Sequence, residues 1–185
     1  MNLRHWAASS AAAVALLLAG QAQAAPPDPS ESVADMGAFT SPDQESQARV
    51  AVAAAEARFQ AVDAAAAELI AAHRKDCAAP RLMDALAGLQ TVERDSGKYI
   101  GLASTTPAVA DREAAMDVVE ELDAFALDGY LRAAEGLEIV GCGPRASFLY
   151  AEILHTYTGR AYSHWRARAA ERLKALKAGR PLIAR

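Results

Sequence analysis

Glu152-Ile153-Leu154-His155 is the one local pattern in this chain suited to chemistry. Residues three apart share a helical face, so a carboxylate and an imidazole at this spacing can reach one ion. Carboxylate metal sites in helical bundles use Glu-x-x-His this way, but they take the motif from two helices and a further Glu from two others. Here the motif occurs once. His73 and Glu121 are the other candidate ligands, so a metal shell would be Glu152, His155, His73 and Glu121. Haem without a covalent link is the other cofactor reading, with His164 as axial ligand and Met116 or Met83 opposite. The chain has no C-x-x-C-H for covalent attachment.

Neither set is complete, and no cofactor is expected. Gly141-x-Gly143 has no Lys-Ser/Thr after it and reads as a turn, not a phosphate loop. Ser147 and Ser163 have no nucleophile elbow around them. The acidic residues Asp111, Glu113, Asp117, Glu120, Glu121 and Asp123 spread over more than one helical face and read as a solvated surface. The expectation is a protein that acts by binding, with an in-bundle Glu/His metal enzyme and a haem or apolar-ligand carrier as the alternatives.

The charge distribution gives that reading a direction. From Arg160 to Arg185 eight basic residues face one acidic residue; from Ala25 to Gly159 ten basic residues face 22 acidic ones. Cations suit the C-terminal end of a long helix, and they can also pair with acidic neighbouring helices. Arg166, Arg168, Arg172 and Lys174 are the candidate contacts for an anionic surface or an envelope or secreted partner. The acidic body argues against nucleic acid.

Other elements must position these side chains. Residues 1–24 carry Arg4 and His5, an apolar run from Ala11 to Ala19, and Ala22-Gln23-Ala24. That is the pattern of a secretory signal peptide. The run falls short of the roughly 20 apolar residues needed to span a bilayer. Gln21 occupies the place of a lipid-carrying cysteine, so a periplasmic or secreted protein without a transmembrane anchor is expected. Residues 25–40, with Pro26, Pro27 and Pro29, read as a flexible leader.

Residues 41–179 read as one helical domain, closed by a short basic tail end at 180–185. Ala is abundant and the only Asn is Asn2, a composition that favours helix over turn-rich sheet. Four segments begin with Pro: Pro42 to Lys75, Pro80 to near Leu102, Pro107 to Gly136 or Gly141, and Pro144 to Ala178. Ser41 with Gln44 suggests a capping box at the first. Gly97-x-x-x-Gly101 marks either a close helix approach or a fraying end. The expected fold is all-α, an up-down-up-down four-helix bundle, or else a three-helix bundle with an irregular second segment. In the first of these, Cys77 and Cys142 lie in connections at the same end, and an oxidising compartment would join them.

Overall fold

The computed structural model describes residues 39–73 and 75–182. The expected signal peptide, the expected leader up to residue 38 and residues 183–185 lie outside the described residues. What is described is all-helical, with no strand. Five α-helices follow one another: α1 (Pro42–Ala71), α2 (Pro80–Thr105), α3 (Val109–Ile139), α4 (Gly143–Thr156) and α5 (Ser163–Lys177), with a 3-10 turn at Arg160–Tyr162.

The five helices correct the expected four. The segment from Pro144 to Ala178 is not continuous, because it breaks at Tyr157-Thr158-Gly159. Thr156, Tyr157 and Thr158 are all modest helix formers, and Gly159 is a poor one. The stronger cause is tertiary. The Tyr157 hydroxyl donates to Glu93 on α2 at 3.0 Å, and the Tyr162 hydroxyl donates to Asp123 on α3 at 2.5 Å. Turned inward on both sides of the break, the two rings meet edge to face, their centroids 5.4 Å apart. The chain reverses there, and α5 returns along α4. A methyl group added at Gly143 would lie 3.6 Å from Leu176, so the start of α4 and the end of α5 are side by side.

α3 is the central element. It packs against every other helix, most extensively α1 and α2. It buries 17 of its 31 residues, whereas α5 buries only Ala169. The small residues of α3 let neighbours approach from several sides. At Gly129 a β-carbon would come within 2.7 Å of Leu89 on α2. At Gly136 it would come within 3.2 Å of Ala66 on α1, so α3 continues through Gly136 to Ile139 instead of ending there.

The helix ends also differ from expectation. Ser41 makes no side-chain capping bond, so the capping box is not formed. The hydroxyls of Ser104 and Thr105 bond back to the carbonyls of Ile100 and Gly101, which carries α2 to Thr105. α1 stops at Ala71, four residues early, because His73 takes a left-handed φ of 49°. Its N–H donates to the Ile70 carbonyl at 3.0 Å and closes the last turn. The buried Asp111 of α3 accepts from both the backbone N–H (2.7 Å) and the hydroxyl (2.9 Å) of Thr40, so α1 and α3 begin beside each other. At the other end Cys77 and Cys142 form a disulfide with Cα atoms 5.4 Å apart.

Candidate functional site

A row of carboxylates along α3 accounts for much of the basic C-terminal segment. Asp123 accepts from Tyr162, and also from Ser96 at 2.7 Å. Asp128 accepts the Trp165 indole N–H at 2.7 Å, and Glu135 pairs with Arg168 at 2.6 Å. Glu138 pairs with Arg172 and accepts the Leu182 backbone N–H at 2.6 Å. The partners rise in the same order on both segments, so α5 runs in the same direction as α3. Residues 123, 128, 135 and 138 thus form a polar seam that α5 closes. Asp111 and Asp123 are buried acceptors, contrary to the solvated surface expected of that acidic run.

Glu138 is the most deeply placed of these acids, only 1% exposed. Besides Arg172 and Leu182 it accepts the Tyr150 hydroxyl at 2.9 Å, so one carboxylate ties α3, α4, α5 and the C-terminal segment. Its proximity holds the Arg172 guanidinium above its already high ordinary value. Burial, and then the neighbouring carboxylates, push the phenols upward: Tyr150 beside Glu138, Tyr130 and Tyr157 beside Glu93, and Tyr162 beside Asp123. A raised phenol is a hydrogen-bond donor held neutral. These four phenols act here as donors that fasten one helix to the next.

The expected metal ligands are not brought together. Glu152 and His155 share an exposed face of α4, where Glu152 accepts the Thr156 hydroxyl at 3.2 Å. His73 is exposed beyond the end of α1, away from the bundle interior where a ligand would sit. Glu121 lies roughly 27 Å down α3 from the end nearest His73, at 1.5 Å per residue. Among the described residues no group of three or more His, Cys, Asp or Glu side chains could hold a metal ion. The haem ligands are likewise dispersed. His164 is exposed with its ring tilted against Trp165, centroids 3.9 Å apart, and Met116 is exposed on α3. Shallow clefts of about 200 and 360 Å³ lie between α1 and α2, and none of His164, Met116 or Met83 lines them.

The four cationic candidates divide. Arg168 and Arg172 are spent on Glu135 and Glu138. Arg166 is half-buried and reaches the Thr158 carbonyl at 3.4 Å. Lys174 is exposed with no acidic partner among the described residues, and so are Lys177 and Arg180. Sequence reasoning missed two more cations that the fold brings to the same end. Exposed Lys75 lies two residues from Cys77, across the disulfide from Cys142. Arg145, three residues beyond Cys142, donates to the Cys77 carbonyl at 2.9 Å. A cationic end thus gathers around the disulfide from three separate segments. In the sequence the basic C-terminal segment signalled one part of it, and the signal for Lys75 and Arg145 was their closeness to a cysteine.

Scans against family models, curated proteins and solved structures find nothing that matches this chain.

Proposed function

We propose that this is an exported helical protein that acts by binding an anionic partner of the envelope or extracellular space through its cationic end. The proposal includes an up-down-up-down order for α1 to α4, with α5 folded back on α4. One observation carries the functional reading: Lys75, Arg145, Lys174, Lys177 and Arg180 have no carboxylate partner among the described residues, whereas Arg168 and Arg172 are neutralised internally. Unpaired cations gathered at one end of a chain whose net charge is −4 create a local field of opposite sign to the whole. The leader pattern and the disulfide support export.

Immobilised chain should capture material from an envelope extract at low salt and release it as salt rises. The variant with Lys174→Gln, Lys177→Gln and Arg180→Gln should capture less and show a shallower salt dependence. Salt-independent capture, or equal capture by the variant, would remove the reading.

A further inference from the structure

We infer that the cationic end is a docking face for anionic phospholipid headgroups, so that the protein lies peripherally on a membrane surface. This rests on the binding reading above and names its partner class. The face is assembled, not linear. Lys75 comes from the α1–α2 connection, Arg145 from the start of α4, and Lys174, Lys177 and Arg180 from the end of α5 and beyond. Three links hold these segments together: the Cys77–Cys142 disulfide, the Arg145 bond to the Cys77 carbonyl, and the Glu138 bond to Leu182 N–H. The charges therefore sit on a joined end of the molecule and need no ordering on contact.

The chemistry of the face favours lipid over an acidic protein. Three of the five cations are lysines. A lysine ammonium is a flexible point charge that serves diffuse attraction, whereas specific carboxylate recognition draws on the planar arginine fork. The acids in this neighbourhood are few and partly occupied. Glu138 is buried in its own contacts and Glu68 pairs with Arg81, so the acids that face the five cations are Asp76, beside Lys75 and accepting the Ala78 N–H, and Glu171, exposed one turn before Lys174. Apolar groups stand among the charges. Pro80, Pro144 and Pro181 are exposed, and Phe148, one turn along α4 from Arg145, is 64% exposed. Cations flanked by an exposed aromatic suit the boundary between headgroups and acyl chains. No helix among the described residues is long and apolar enough to cross a membrane. Contact through such a face is electrostatic and weakens as salt screens the charges.

The test is co-sedimentation of the full chain with vesicles of phosphatidylcholine alone and with vesicles that also contain phosphatidylglycerol. The chain should partition to the anionic vesicles only, and less so as salt rises. A cation near an anionic surface contributes about fivefold in partitioning, so K75Q/R145Q and K174Q/K177Q should each lose about 25-fold. R49Q/K98Q, at exposed cations near the opposite ends of α1 and α2, should bind as the unmodified chain does. Equal partitioning to both vesicle types overturns the inference, and so does a loss in R49Q/K98Q as large as that in K75Q/R145Q. A poly-glutamate resin run alongside separates the two levels of the argument. Retention there without vesicle binding overturns the lipid assignment and leaves the binding reading standing; retention on neither removes both.

Discussion

Glu138 shows how a single side chain can fix the placement of several elements. A carboxylate 1% exposed is costly to desolvate, and a buried ion pair of this kind can be no more stabilising than an apolar substitute. Its worth here lies in geometry, because Tyr150, Arg172 and the Leu182 N–H, from three different segments, all donate to it. Glu138→Ala leaves Arg172 unpaired, with a side chain only 19% exposed, and should cost about 3–5 kcal/mol in urea unfolding. Tyr150→Phe removes one donor and should cost about 1–2 kcal/mol. If Glu138→Ala cost no more than Tyr150→Phe, the carboxylate would not be the fastening point. In the sequence Glu138 sits between Gly136 and Gly141, either of which could end the helix. Only the returning chain shows what it is for.

At the scale of elements, the glycines separate what local pattern could reveal from what it could not. Gly97 and Gly101 have the spacing of a close helix crossing, yet a β-carbon at either would meet nothing within 4 Å. Gly97→Ala should therefore raise stability by about 0.5–1 kcal/mol through helix propensity alone. Gly129 has no such motif, but its absent β-carbon is what admits Leu89, so Gly129→Ala should cost about 1–3 kcal/mol by overpacking. Thermal unfolding of the two variants should move in opposite directions. The same division holds for the helices themselves. Those begun by Pro42, Pro80 and Pro144 were legible because proline at a first turn and an apolar stripe are local signals. The reversal after Thr156 was not, because Glu93 and Asp123, which hold Tyr157 and Tyr162, belong to other helices. The cationic end was half legible for the same reason: Lys174 stands out in the tail, while Lys75 and Arg145 join it only through the fold.

At the scale of the whole molecule, two features set the limits of stability. The first is the disulfide, which closes a separation of 65 residues. Replacing both cysteines, C77A/C142A, should lower unfolding free energy by about 4 kcal/mol on the loop-entropy model, a difference that reductant should reproduce in the native protein. The second is alkaline pH. Tyr130, Tyr150 and Tyr157 are buried, and each has its ionisation pushed above the ordinary value by burial and by the carboxylates beside it. Below the ordinary tyrosine value of about 10, both folded and unfolded chains hold these protons and the phenols leave stability unchanged with pH. Above it the unfolded chain gives them up while the folded chain keeps them, so stability falls as pH rises. Each phenol contributes a slope of about 1.4 kcal/mol per pH unit over that range. Urea midpoints should thus drop steeply above about pH 10, and Tyr157→Phe should shallow the decline by about one phenol's share. Tyrosinate absorbance should appear from these three rings only as the helical signal is lost. A smooth native-state titration of all five tyrosines near their ordinary value would show that burial and the carboxylates beside them do not hold the phenols neutral.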